Sequence, residues 1–153
     1  METRLPPASH LKSHLGFWLR FVSNHVSGAF AAKLAARKIS VPEWAALREL
    51  YGMDLAPSLL AERLSLTRGA VTKMTDRLVR RKLVRRHADE RDGRAQRLTL
   101  TAAGRSLVPE LSVLADINDA AFFDFLSDQD RHALDRILKA IVRHHALSTI
   151  PLQ

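Results

Sequence analysis

No cysteine occurs among the 153 residues, so disulfide scaffolds, thiolate zinc sites and cysteine-based redox sensing are excluded. No run approaches the ~20 apolar residues of a membrane helix, and the opening METRLPPASHLKSHL lacks the continuous apolar core of a secretion signal. The expectation is a cytoplasmic protein with no membrane partner. Catalytic signatures are missing too: no serine or threonine sits in an elbow motif, and there is no phosphate loop and no carboxylate pair in an evident apolar cleft. The chain therefore reads as a non-enzyme with no catalytic residue and no cofactor. Nor do the histidines suggest a metal. His144 and His145 are adjacent and so point about 100° apart on a helix, with His132 about three turns away. With Arg143 they read as a cationic helix C-terminus. His87, Asp89 and Asp92 have metal-like ingredients, but neighbouring arginines already serve as counter-charges.

What is present is an ordinary globular composition, 46% apolar, in a length that suits one domain with a real core, alone or as a small oligomer. Its charge is unevenly placed. Between Glu62 and Arg105 there are 13 Lys and Arg against 5 Asp and Glu, while the rest of the chain balances at 11 against 11. The whole net charge of +8 thus lies on one stretch, which would attract phosphate backbone by releasing counterions.

That stretch, 57–104, reads as a short helix, a tight turn, a longer helix and a two-stranded ribbon. Pro57 suits an opening turn, and Leu60, Ala61 and Leu64 recur at helical spacing. Small Ala61 fits the point where two crossing helices approach, and Ser65 occupies the turn between them. Thr67 is a good N-cap for the second helix. There Ala70, Val71, Met74 and Leu78 share an apolar face, while Arg68, Gly69, Thr72, Lys73, Asp76 and Arg77 point elsewhere. Residues 84–87 and 96–100 alternate as strands around the turn signal Asp92-Gly93. The tip holds Asp89, Glu90, Arg91, Asp92 and Arg94, an arrangement in which carboxylates fix the direction of two arginines. Such an arginine can enter a narrow minor groove. A solvated hairpin of mixed charge is the bland alternative.

These residues resemble the winged-helix core of the MarR (multiple antibiotic resistance regulator) family of bacterial transcription regulators. The resemblance rests on LAERLSLTRGAVTKMTDRL for the helix pair, DERDGR in the form D-x-R-[DN]-x-R for the wing, and LTAAG where the family shows L-T-x-x-G. One departure is Arg81-Lys82-Leu83, where the family has a glycine before the leucine, so that Lys82 would strain a left-handed helix end mildly. The flanks resemble the family more loosely. The implied fold class is mainly α: a winged helix-turn-helix (MarR-like) with a small β-wing and a helical dimerisation region formed by both termini. Residues 1–40 would supply an arm and a dimerisation helix, 41–100 the DNA-binding region, and 101–153 the C-terminal dimerisation helices.

Along the flanks, residues 1–9 form a polar, proline-containing arm that is either loose or reaches a partner subunit. Ser9 can cap a long helix to about Ala36, with Leu11, Leu15, Trp18, Val22, Val26 and Ala29 on one face and His10, His14, Phe17, Phe21 and His25 beside it. An apolar face this wide suits burial between subunits, with part of it as a candidate pocket wall. Ser40-Val41-Pro42-Glu43 has capping-box spacing and opens a helix to about Tyr51, ended by Gly52, and 54–56 could add a third strand to the wing. Thr101 caps a helix to about Leu126 bearing Leu107, Leu111, Leu114, Ile117, Ala121 and Phe125. Ser127 caps the last, to Leu147, with Leu134, Ile137, Leu138 and Ile141. This apolar area exceeds what a small winged head can cover, so a homodimer is expected.

The reading is a dimeric, sequence-specific DNA-binding transcription regulator, most simply a repressor, whose partner is double-stranded DNA with a palindromic operator. Thr67, Arg68, Gly69, Thr72, Lys73 and Arg77 would lie toward the major groove. Arg91 would enter the minor groove, oriented by Asp89, with Arg94 on phosphate. In the family, small aromatic acids bind between the helical region and the head. By resemblance the pocket draws on the first, second and fifth helices, with His14, Phe17, Trp18, Phe21, Trp44 and Tyr51 as candidate lining. Alternatives are a constitutive DNA binder, a protein-docking winged helix, or an RNA binder, although this head has few aromatics for base stacking.

Overall fold

The computed structural model describes residues 8–148 and residue 152; most of the arm over 1–9 lies outside the described residues. A single 3-10 turn, Leu11–Ser13, leads into α1 (Leu15–Ala36), α2 (Val41–Gly52), α3 (Pro57–Arg63), α4 (Arg68–Arg80), the hairpin β1 (Val84–Ala88) and β2 (Gln96–Leu100), α5 (Ala102–Phe123) and α6 (Asp128–His144). The expected mainly helical winged helix-turn-helix is the fold observed. No helix among the described residues is long and apolar enough to cross a membrane.

Side-chain oxygens start four of the helices as their sequences foretell. The Thr67, Thr101 and Ser127 hydroxyls accept from the amides of Ala70, Gly104 and Asp130 at 3.1 Å each. Ser40 and Glu43 close a reciprocal capping box at 3.3 and 2.8 Å. Ser9 does not cap α1. Its hydroxyl lies 2.9 Å from His14 Nε2 instead, and His14, at φ −92° and ψ 129°, breaks the chain before the helix begins.

Helix ends follow a device that the sequence disguises. Lys38, Ser65, Lys82 and Ala146 all adopt left-handed φ, between 49° and 57°. Each donates its amide to the carbonyl three residues back, and the apolar residue that follows donates to the carbonyl five back, as Leu83 does to Leu78 at 3.0 Å. These are Schellman ends, in which glycine is usual at the left-handed position. The apolar follower compensates: Ile39 and Leu83 lie in the core. The same motif stops α6 at His144 rather than at Leu147. α5 stops at Phe123 rather than Leu126, where a turn closes from the Leu126 amide to the Phe123 carbonyl at 3.1 Å.

The core draws one or two leucines from nearly every element: Leu34, Leu47, Leu50, Leu60, Leu78, Leu98 and Leu111 are each at most 1% exposed. α5 docks against the head through Gly104, where a Cβ would stand 2.1 Å from the Leu83 carbonyl oxygen. That close approach accounts for the glycine of LTAAG. Asn118, buried on α5, donates to the Val26 carbonyl of α1 at 3.1 Å and accepts from Lys33 at 3.0 Å, fixing the two helices in register. By contrast α6 has no buried residue. Its Leu134, Ile137, Leu138 and Ile141 are exposed, as are Leu15, Trp18, Phe21 and Val22 on α1 and Ile117 and Phe125 beyond the head.

Candidate nucleic-acid interface

α3 and α4 form the helix pair around the left-handed Ser65. Ala61, Val71, Met74 and Leu78 are buried between them and the core. Ala70, expected on that face, is exposed, and Thr75 is buried in its place. Thr75 is tolerated there because its hydroxyl donates to the Val71 carbonyl at 2.8 Å. Arg68, Gly69, Thr72 and Lys73 lie together on the exposed side. The Thr72 hydroxyl turns back to the Arg68 carbonyl at 2.9 Å, which leaves its methyl as the free group. Gly69 has no internal reason to be glycine, since a Cβ there would meet nothing within 4 Å.

Some of the head's basic residues are paired and others are not. Arg63 pairs with Glu49, Arg77 with Glu43, Arg86 with Asp76 and Arg97 with Asp89, at 2.7–3.1 Å. These brace the frame: Arg86 also reaches Thr75 at 2.8 Å, tying β1 to α4, and Arg97 also reaches the Asp54 carbonyl at 2.7 Å. Arg68, Lys73, Arg91 and Arg94 make no ion pair among the described residues and are exposed, as are Arg80, Arg81, Lys82 and Arg85, of which Arg81 reaches back to the Lys38 carbonyl.

β1 and β2 pair antiparallel, with Val84 opposite Leu100 and Ala88 opposite Gln96. The expected third strand is one bridge, Leu55 to Leu98, with hydrogen bonds of 3.1 and 2.8 Å. The tip is not the tight turn that Asp92-Gly93 signals, because residues 89–95 all lie outside the ladder. Asp92 instead caps a local turn, accepting from the Arg94 amide at 3.0 Å. Asp89 does not hold the Arg91 guanidinium. One of its oxygens accepts the Arg91 backbone amide at 2.8 Å, and the other accepts from the Arg97 side chain at 3.0 Å. Those two donors hold the Asp89 carboxyl below the usual carboxylate range. The wing therefore fixes the backbone under Arg91 and leaves the side chain free. His87 pairs with Asp54 at 3.3 Å, not with Asp89 or Asp92.

A separate cleft of about 590 Å³ opens between α1 and α2. Phe30 and Trp44 meet edge to face in it, with ring centres 6.2 Å apart, and the Arg48 guanidinium stands 5.9 Å from the Trp44 ring. Of the six residues expected to line a pocket, only Trp44 does so. His14, Phe17, Trp18 and Phe21 sit nearer the start of α1, where the three aromatic rings and His25 pack against one another, mostly edge to face or tilted, with ring centres 4.5–6.4 Å apart. Tyr51 is exposed at the far end of α2. The helical spacing identified an aromatic face correctly but could not say which turn of α1 crosses α2.

The sequence model described as MarR family matches residues 38–95, from the left-handed end of α1 through the wing tip. Over that stretch, which holds the helix pair and most of the wing, the chain is similar to the MarR family. The HTH-type transcriptional regulator PrsX of Escherichia coli is 26% identical over 90 residues, 59% of this chain and 54% of PrsX, so the chain spans about half the length of the curated relatives it matches. Among solved structures, MepR of Staphylococcus aureus superposes with a TM-score of 0.75 at 22% identity, over 86% of this chain and 98% of MepR. MarR of E. coli, in its apo form, gives 0.75 at 23% over 84% and 96%. BpsR of Bordetella bronchiseptica, whose DNA binding is regulated by 6-hydroxynicotinic acid, gives 0.73 at 23% over 88% and 97%. At these identities the likeness is one of fold.

In the winged head and the cleft beside it, the sequence alone did not reveal Arg86 and Arg97 as braces, or Phe30 and Arg48 as cleft residues. Arg97 had a signal, its place opposite His87 in the hairpin register. Phe30 and Arg48 had none short of the helix crossing itself.

Proposed function

We propose that this chain is a cytoplasmic, homodimeric, sequence-specific transcription regulator that acts as a ligand-responsive repressor on a palindromic operator. The observation that carries this reading is the division of cations. The head neutralises four of its arginines internally, and among the exposed cations without an ion pair it places Arg68 and Lys73 on the outer face of α4 and Arg91 and Arg94 on the wing. In the complex α4 lies in the major groove. Arg68 and Lys73 meet bases or phosphates, the Thr72 methyl meets thymine, and the bare surface at Gly69 admits close approach. Thr67 and Arg77 flank this face. Arg91 enters the adjacent minor groove and Arg94 holds phosphate. Residues 41–100 are the DNA-binding region.

The unpartnered apolar faces of α1, α5 and α6 support a dimer built from 1–40 and 101–153, since exposed patches of this extent mark association surfaces. A twofold dimer would present two α4 helices to half-sites about 10 base pairs apart. The cleft supports an effector of the chemistry reported for BpsR: a flat aromatic acid could lie against Trp44 and set its carboxylate toward Arg48.

The test is selection of bound duplexes from a random pool, followed by titration of the selected duplex against salt, with and without 6-hydroxynicotinic acid, and sedimentation of the free protein. A twofold-symmetric consensus, affinity falling steeply with salt, and a dimer are expected. A monomer that binds no duplex at low salt overturns the reading. Affinity unaltered by a broad panel of aromatic acids overturns its ligand-responsive part and leaves a constitutive binder.

A further inference from the structure

The outer face of α4 carries one charge of the wrong sign for DNA. Successive residues of a helix turn by about 100°, so Gly69, Lys73, Asp76 and Arg80 fall within about 60° of one another, on the side opposite the buried Val71 and Leu78. Asp76 is the only acidic residue of the helix and lies one turn beyond Thr72 and Lys73. A carboxylate there repels phosphate, and aspartate is a poor helix former beyond the first turn.

Its surroundings hold that carboxylate in place with one oxygen to spare. Arg86 reaches across from β1, and one guanidinium nitrogen donates both to the Thr75 hydroxyl at 2.8 Å and to Asp76 Oδ1 at 2.7 Å. The Thr75 hydroxyl is itself fixed, donating to the Val71 carbonyl at 2.8 Å, so the guanidinium is anchored where it meets Asp76. The second oxygen, Oδ2, accepts no hydrogen bond among the described residues and belongs to a side chain that is 42% exposed. In a major groove such an acceptor has one good match. Cytosine presents an amino donor, whereas guanine presents two acceptors and thymine an acceptor and a methyl group. Adenine sets its amino donor beside the N7 acceptor, a pair that suits an amide better than a carboxylate.

We propose that Asp76 is a specificity residue of the reading face: its free oxygen accepts from the amino group of a cytosine in each half-site, and Arg86 is the positioning residue that aims it. This rests on the placement of α4 in the major groove given above. The carboxylate lowers attraction to duplexes in general and gains discrimination among them.

The test is selection of duplexes from a random pool by the parent, Asp76→Asn, Asp76→Ala and Arg86→Gln, followed by affinities for the parental consensus and for duplexes changed at single positions. Thermal melts followed by circular dichroism show that each variant is folded. The parent should prefer cytosine roughly tenfold at one position of each half-site. Asp76→Asn is nearly isosteric and keeps an acceptor for Arg86, so the preference at that position should move to adenine, which an amide binds through N6 and N7. Asp76→Ala should lose the preference there alone while binding unrelated duplexes more tightly. Arg86→Gln should blur the cytosine preference; one as sharp as the parent's overturns the positioning role. A consensus unchanged in both Asp76 variants, with affinity lowered equally for every duplex, is the result of a brace and nothing more, and overturns the proposal. A parent that binds no duplex removes the DNA reading first, and this proposal with it.

Discussion

Arg77 of α4 donates from Nε to one carboxylate oxygen of Glu43 at 3.1 Å, while the other oxygen accepts the Ser40 amide at 2.8 Å. A single carboxylate, on a residue only 5% exposed, therefore closes the first turn of α2 and anchors the proposed recognition helix. Burial pushes the Glu43 carboxyl up, but the Ser40 amide and the Arg77 guanidinium outweigh it and hold the group below its ordinary value.

The pH dependence follows in sign. The folded state binds fewer protons at Glu43 than the unfolded chain, so the contribution is fully present above the ordinary carboxylate value of 4.5 and is lost as pH falls through the lower folded value. Glu43→Gln keeps a capping-box side chain but loses the charge. It should lower stability at pH 7 by about 1 kcal/mol and flatten the acid limb, while Glu43→Ala should cost about 2 kcal/mol. Urea unfolding at pH 7 and pH 4, at one protein concentration, measures both. An acid limb in Glu43→Gln as steep as in the parent would show that this carboxylate does not set it.

What the sequence made legible was whatever depends on neighbours along the chain. Caps at Ser40, Thr67, Thr101 and Ser127 follow from one side chain and an amide three residues on, and the strands, read as 84–87 and 96–100, from alternation and a turn. What it hid depends on geometry across the fold. Lys82 and Lys38 occupy left-handed positions because the Leu83 and Ile39 contacts that follow them outweigh a local preference for glycine. Asp89 looked like a partner for Arg91, its near neighbour, yet the hairpin brings Arg97 to it from the opposite strand. The cleft failed for the same reason: period 3.6 defines a face of α1 but not where α2 crosses it, and the crossing lies at Phe30, three turns beyond Phe17 and Trp18.

Lys82 offers a direct test of that competition. A non-glycine residue at left-handed φ costs about 1 kcal/mol, part of which glycine returns as added freedom of the unfolded chain. Lys82→Gly and Lys38→Gly should each stabilise by about 0.5 kcal/mol, read as a higher urea midpoint at unchanged slope. A lower midpoint in both would mean that the lysine stems contribute more than the backbone strain removes.

Gly69 and Gly104 should respond oppositely to alanine. At Gly104 the added Cβ would meet the Leu83 carbonyl at 2.1 Å, backbone that cannot move without shifting α5, so a loss of about 2 kcal/mol is expected. At Gly69 the Cβ meets nothing, and alanine in an exposed helix should add about 0.5–1 kcal/mol of stability. If Gly69 is there for close approach of DNA, the stabilised variant should bind its operator more weakly. Stability and affinity rising together would remove Gly69 from the interface.

On the proposed reading, the wing separates a residue that would touch DNA from one that would position it. Arg91 is exposed and makes no ion pair among the described residues, whereas Arg97 bonds Asp89 at 3.0 Å and the Asp54 carbonyl at 2.7 Å. Arg91→Ala should leave the melting temperature unchanged, weaken operator binding by roughly tenfold, and lower the slope of log affinity against log salt by about 1. Arg97→Ala should cost about 1 kcal/mol of stability, because it strands Asp89 and frees the strand from the loop before α3. It should also weaken binding by letting the Arg91 backbone wander. Since the second effect acts through Arg91, the two losses cannot add: in an Arg97→Ala background, removing Arg91 should cost clearly less affinity than it does alone. Fully additive losses would mean that Arg97 meets DNA in its own right, and the division between bracing and free arginines on which the proposed function stands would have to be redrawn.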